Sequence, residues 1–148
     1  MEPRDPDYAA RVARSFAAQG LMATIGARLE RVAPGEVEIA LPVSAALSQQ
    51  HGFVHAGAVA AIADSAAGYA ALSLMPPSAG VLTAEFKINL LAPAAGDRIL
   101  AVGRVVKAGR TLTLAQAEVH AEAGGARRLV ALLTATLMTI EGRDGIAD

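Results

Sequence analysis

QQHGFVHAGAVAAIADSAAGYAA, residues 49–71, decides how the rest of the chain is read. From Ala56 to about Leu74 it contains no proline and is dominated by alanine, so the spacing predicts one long helix, stopped by Pro76, Pro77 and Gly80. Such a helix is apolar nearly all round and must be buried on several sides. Two features do not fit a purely structural role: His51 and His55 stand at the helix entrance, and Asp64 stands in its middle.

Working outward, apolar residues at helical spacing (Tyr8, Val12, Phe16) predict an amphipathic helix over about 6–18, with Arg11 and Arg14 on its remaining surface and Gly20 ending it. In ATIGARLERVAPGEVEIALPV two alternating segments flank Pro34-Gly35, which predicts a β-hairpin. After the long helix come four segments of period-2 outline, VLTAEFKINLLAP, DRILAVGRVVKAG, RTLTLAQAEVHAEA and RRLVALLTATLMTI, separated by Pro93 to Gly96, Gly109 and Gly124-Gly125. Antiparallel neighbours are expected among them. A tail from Glu141 onward is expected to fray. One long buried helix with about six strands implies an α+β fold in which a sheet curls around the helix, in a single domain spanning residues 1–148.

Composition narrows the function. The formal charge is -1 with no dense basic stripe, which argues against nucleic acid. There is no cysteine, so disulfides, thiolate metal sites and a cysteine nucleophile are excluded. The first twenty residues carry both charge signs and lack the apolar core of a secretory signal; an unexported, cytoplasmic protein is expected. Although 53% of the residues are hydrophobic, Asp64, Pro76 and Pro77 interrupt the longest apolar stretch, which disfavours a membrane span. Subunit contacts are the remaining outlet for the apolar excess.

Asp64 has Ala60, Ala61, Ala67 and Gly68 as its neighbours three and four positions away, and no Lys or Arg occurs between Arg31 and Lys87. Its carboxylate is therefore poorly solvated and lacks a local cation, conditions that raise an acid's pKa and mark candidate catalytic groups. A hydrogen-bonded structural aspartate is the competing reading. At the helix start the free amides of Ala56 and Gly57, reinforced by the helix dipole, form a candidate oxyanion site. Small residues there let a carbonyl approach the backbone. His51 and His55 either hold water or ligand, or cap the backbone. Their spacing also suggests a metal, but Gly52 lies between them and no usual third ligand follows, so no metal or other cofactor is expected.

This constellation resembles the hotdog-fold acyl-CoA thioesterases of the phenylacetate-pathway type, whose Asn-x-His-x-x-x-His-Gly-Gly stretch enters a central helix bearing an Asp. Here the matching residues are QQHGFVHAG followed by AVAAIAD, and the likeness extends from the hairpin around APGEV through EFKINLLAPAAGD and KAGRTL to the last strand. The resemblance implies hydrolysis of an acyl-CoA thioester, sheets paired edge to edge in a homodimer, dimers stacked into a homotetramer, and active sites between subunits. It assigns Asp64 as general base or nucleophile, His55 to positioning water or carbonyl, and the Ala56 amide to polarising the carbonyl. Gln49 takes the Asn position and Thr83 that of a hydroxyl supporting the base. Gln49 and Ala56 both depart from the family pattern.

Unbroken alternation along VLTAEFKINLL places Thr83, Glu85, Lys87 and Asn89 on one face and Leu82, Ala84, Phe86, Ile88 and Leu90 on the other. For the CoA end, Arg104, Lys107 and Arg110 are the candidate phosphate contacts, with Arg127 and Arg128 as lesser candidates, and His51 and Gly52 are further candidate substrate-binding residues. Two other functions share the constellation: a hotdog hydratase or dehydratase, and an acyl-CoA binding module without catalysis. The acyl group itself is not legible.

Overall fold

The computed structural model describes residues 1–146. Two helices, α1 (Tyr8–Ala18) and α2 (Gly20–Ile25), precede the hairpin β1 (Arg28–Ala33) and β2 (Glu36–Pro42). A 3-10 turn at Ala45–Leu47 leads to the long helix α3 (Ala56–Leu72), and β3 (Gly80–Leu90), β4 (Arg98–Ala108), β5 (Leu112–Ala123) and β6 (Ala126–Ile140) complete the chain. The six strands form one sheet in the order β1-β2-β4-β5-β6-β3, antiparallel throughout. The expected α+β architecture, one curled sheet around one helix, is the fold observed. No helix among the described residues is long and apolar enough to cross a membrane.

The alanines of α3 have a packing role beyond propensity. A Cβ on Gly103 of β4 would lie 2.3 Å from the carbonyl carbon and oxygen of Ala66, so helix and sheet backbones touch there directly. Ala63, Ala66, Ala67, Ala70 and Ala71 are buried along α3 against this close contact. Larger side chains would hold the layers apart at ordinary spacing. The Pro34-Gly35 turn docks on the far end of the same helix: Gly35 has φ 78°, which suits glycine, and its N–H donates to the Ser73 hydroxyl at 2.8 Å.

The enclosure of α3 is incomplete. Gly57 is exposed, and Ala60, Ala61, Asp64 and Ser65 are only half-buried, forming an open stripe at helical spacing. Burial on several sides is what the sequence led one to expect, and the open side lies along β3, an edge strand whose outer edge pairs with nothing among the described residues.

Four local expectations need correction. Gly20 does not end the helical region; Gln19 adopts an extended backbone with ψ 106° and Gly20 starts α2, so the first strand begins only at Arg28. Arg11 is not on the surface but 2% exposed. Its guanidinium donates to the carbonyls of Pro76 at 2.9 Å and of Ala79, and faces Asp5 at 3.4 Å, so the α3–β3 loop supplies the acceptors that make its burial possible. The pairing of β3 with β6 shifts between Thr83 and Glu85. Past that bulge Phe86, Ile88 and Leu90 pair with the buried Ala135, Leu133 and Ala131, whereas Thr83 pairs with the buried Leu137. Thr83 therefore shares the helix-facing side with Phe86 and Ile88, not with Glu85, Lys87 and Asn89, because a bulge reverses the alternation. Finally, residues 141–146 form no helix or strand, yet Ile146 lies against Gly80 rather than hanging free.

Candidate active site

Asp64 reaches the surface of α3 beside β3. Its Oδ1 accepts a hydrogen bond from the Thr83 hydroxyl at 2.8 Å, and no cation pairs with it among the described residues. Burial pushes the carboxyl above its ordinary pKa, and the Thr83 hydrogen bond partly offsets that rise. The acid opens onto a cavity of about 280 Å³ lined also by Gln19, Ser65, Gly68 and Tyr69. Gln19 accepts from the Ser65 hydroxyl at 3.2 Å, and Ser15 and Tyr69 share a hydrogen bond at 3.3 Å. Ser15, Ala18 and Gln19 bring α1 and its end to this cavity, a part that sequence reasoning did not assign them. The available signal was Ser15 and Gln19 spaced four apart beside the apolar Val12 and Phe16.

At the helix start, His55 is the N-cap of α3 and its Nδ1 accepts from the Gly57 N–H at 2.8 Å. Two consequences follow. The Gly57 amide is engaged within the cap, so of the two expected oxyanion donors only the Ala56 N–H makes no hydrogen bond among the described residues. A neutral imidazole that accepts at Nδ1 carries its proton on Nε2, so His55 presents a donor on its other side. The Gln49–Phe53 loop leading in is closed by Gln49 N–H to the Phe53 carbonyl at 2.8 Å, with Gly52 at φ 85°. Gln49 Oε1 accepts the His51 amide, leaving its NH2 group to reach elsewhere; the His51 ring is exposed and makes no hydrogen bond among the described residues. Gln49 and Ala56 line a separate cavity of about 380 Å³ with Leu90, Leu91, Ala92 and Val130. No group of three His, Asp or Glu side chains converges among the described residues.

Asp64 and Ala56 are eight residues apart on one helix, about 12 Å along its axis. Within one chain they open onto different cavities. Both cavities flank β3, the first at Val81 and Thr83 and the second at Leu90.

The expected phosphate contacts lie elsewhere. Arg104 faces away from the helix, since its neighbour Gly103 is the residue against Ala66, and its Nε donates to Glu36 at 2.6 Å in a network with Arg31, Glu38 and Glu118. Lys107 lies at the end of β4 and Arg110 in the β4–β5 connection, where Ala108 and Gly109 adjoin Leu74 and Met75 beyond the opposite end of α3. None of the three lines the cavity at the helix start.

Residues 51–127 match the family model described as the Thioesterase superfamily. A candidate esterase from Halobacterium salinarum is 32% identical over 121 residues, covering 78% of this chain and 80% of its own. Among solved structures, a thioesterase family protein from Silicibacter pomeroyi is 53% identical with a TM-score of 0.89, over 91% of this chain and 99% of that one. The E. coli PaaI protein of the phenylacetic acid degradation operon shares the hotdog fold at 20% identity, with a TM-score of 0.80 over 92% and 95% of the two chains. The sequence match and the fold agree: the chain belongs to the thioesterase superfamily.

Proposed function

We propose that the protein hydrolyses acyl-CoA thioesters to free acid and CoA, with Asp64 as the base and the Ala56 amide as the oxyanion donor. The observation that carries this reading is a half-buried carboxyl with no cation, its pKa raised and its Oδ1 held by Thr83, in a member of the thioesterase superfamily. Ionised, Asp64 takes a proton from water as the hydroxide oxygen adds to the thioester carbon. The carbonyl oxygen becomes an oxyanion facing the Ala56 N–H and the positive end of α3. Collapse breaks the C–S bond, and the departing thiolate takes up the proton held by Asp64. In this reading His55 Nε2–H and the Gln49 amide orient water or the carbonyl.

Separation of Asp64 from Ala56 along α3 favours a site assembled from two copies. Along the edge strand β3, Leu82 and Phe86 are each 45% exposed and Leu90 55%, an apolar edge of a kind that monomers avoid. Antiparallel pairing of two β3 strands sets the Val81–Thr83 end of one copy beside the Leu90 end of the other. Asp64 of one protomer then approaches Ala56 of its partner, and the open stripe of α3 is covered. A dimer of dimers is the assembly proposed.

The test is thiol release from short-chain, medium-chain and phenylacetyl-type CoA thioesters, comparing wild type with Asp64→Asn at matched fold and oligomeric state. Release by wild type and its loss in the variant support the reading. No release from any thioester would turn the assignment toward dehydration or binding without catalysis.

A further inference from the structure

The nucleotide end of the proposed substrate needs cations, and none of the three that sequence reasoning put first lines the cavity at the helix start of its own chain. One of the two lesser candidates, Arg128, lies nearer to it. The pairing of β5 with β6 shifts between Val119 and His120, and Val130 is the extra residue of β6. Unbroken alternation from the buried Ala131 would turn Arg128 outward. The bulge instead pairs it with Ala121, which is buried on the helix-facing side, while Arg127 pairs with Glu122. Arg127 is spent in that pairing, donating to Glu122 at 2.8 and 2.6 Å. The Arg128 side chain is exposed and makes no hydrogen bond or ion pair among the described residues.

Arg128 lines a groove of about 410 Å³ with Phe53, Pro93, Ala121, Ala126 and Arg127. Phe53 and Pro93 also line the cavity at the helix start, so the two spaces adjoin across them. The inner space is walled by Leu90, Leu91, Ala92 and Val130 and suits a thin, largely apolar arm. The outer one offers a planar aromatic ring 38% exposed, small alanines that leave room, and an uncommitted guanidinium. That sequence of surfaces matches a carrier thiol with a pantetheine arm ending in phosphate and a nucleoside.

We propose that Arg128 binds a phosphate of CoA, with Phe53 and Pro93 flanking the path from the helix start to the nucleotide. This rests on the thioesterase reading for the identity of the carrier, but not for its test. Titration calorimetry of CoA, 4′-phosphopantetheine and pantetheine against wild type, Arg128→Ala and Arg104→Ala separates the contributions. Loss of one charge-assisted phosphate contact weakens CoA by about tenfold in Arg128→Ala and leaves pantetheine unchanged, while Arg104→Ala leaves both unchanged. If 4′-phosphopantetheine shows the same loss, Arg128 meets the diphosphate end of the arm; if only CoA does, it meets the nucleotide's own phosphate. CoA binding that is equal in wild type and Arg128→Ala, or undetectable in wild type, overturns the proposal. The catalytic reading fails separately: Arg128-dependent CoA binding without thiol release from any thioester removes the hydrolase and keeps this site. Thiol release with KM unaltered in Arg128→Ala does the reverse.

Discussion

Thr83 Oγ1 donates to Asp64 Oδ1 across 2.8 Å, tying the edge strand β3 to the middle of α3. This bond is all that offsets the rise in the acid's pKa caused by burial. The base works only when ionised, so kcat/KM is expected to rise with pH through a midpoint above the ordinary aspartate range. Thr83→Val removes the bond that favours the charged form and moves the midpoint further up. The loss is then concentrated on the acid limb, with the plateau at higher pH recovering. A pH profile for the two proteins checks this, and an unmoved midpoint would remove Thr83 from the site.

Asp64→Asn is expected to lower kcat by about 10²-fold to 10⁴-fold while raising thermal stability. The sign follows from linkage. Because the folded-state pKa of Asp64 is raised, the native protein holds a proton that the unfolded chain has released, and stability is lost as pH climbs from the unfolded toward the folded value. Above the folded-state value the unfavourable contribution is fully present, and asparagine cannot ionise. Calorimetric melting at neutral and at acid pH should therefore show the variant more stable at the former, with the gap closing at the latter. A variant that melts lower at neutral pH would mean that the carboxylate is a structural anchor.

Ala56 can be tested by removing its N–H rather than its side chain. It is the first residue of α3, where proline is tolerated, and His55 before it has φ −59° and ψ 136°, a conformation that suits a following proline. Ala56→Pro should fold normally and lose about 10²-fold to 10³-fold in kcat. Mixing Ala56→Pro with Asp64→Asn, after dissociation and reassociation, then asks where the site is assembled. If each site takes Asp64 from one chain and Ala56 from the other, half the dimers are mixed and each regains one of two sites, so activity returns to about a quarter of wild type. Mixtures as inactive as the parents would place both groups of each site in one chain.

How much of this was legible in the sequence depends on whether one period sufficed. The long helix and the strand pattern came through because alanine content and alternation act locally, and Asp64 stood out because nothing near it in sequence could neutralise it. Thr83 bonds to the acid but does not share a face with Glu85 as alternation suggested, since a one-residue bulge leaves no mark in an apolar-polar pattern. The same blindness kept Arg128, behind the bulge at Val130, among the lesser candidates and ranked it below Arg104, which tertiary pairing commits to Glu36. Arg11 looked like surface because a helix pattern shows which positions are polar but not that three carbonyls of a distant loop await one of them.

That buried arginine gives a stability prediction unconnected with catalysis. Arg11→Met keeps the volume and removes every donor, stranding the carbonyls of Met75, Pro76 and Ala79 and the Asp5 carboxylate. Breaking a buried charged contact from one side costs about 3 kcal/mol or more. Chemical denaturation should register a loss of that order. A loss under 1 kcal/mol would show that the loop finds other donors.

Gly103→Ala tests the helix–sheet contact that gives α3 its alanines. Adding the methyl would ordinarily favour a strand, because it reduces the freedom of the unfolded chain. Here the new Cβ meets Ala66 backbone atoms at 2.3 Å and the Ala67 nitrogen at 2.6 Å, neither of which can swing aside as a flexible side chain would. The layers must separate locally, and overpacking of this kind costs about 1–3 kcal/mol. Because Asp64 lies only two residues from Ala66, the displacement also carries it away from Thr83, so activity should fall further than the loss of folded protein explains. Comparing turnover per folded molecule with the denaturation midpoint separates the two effects. Full specific activity in a destabilised variant would mean that the helix shifts as a rigid body together with β3.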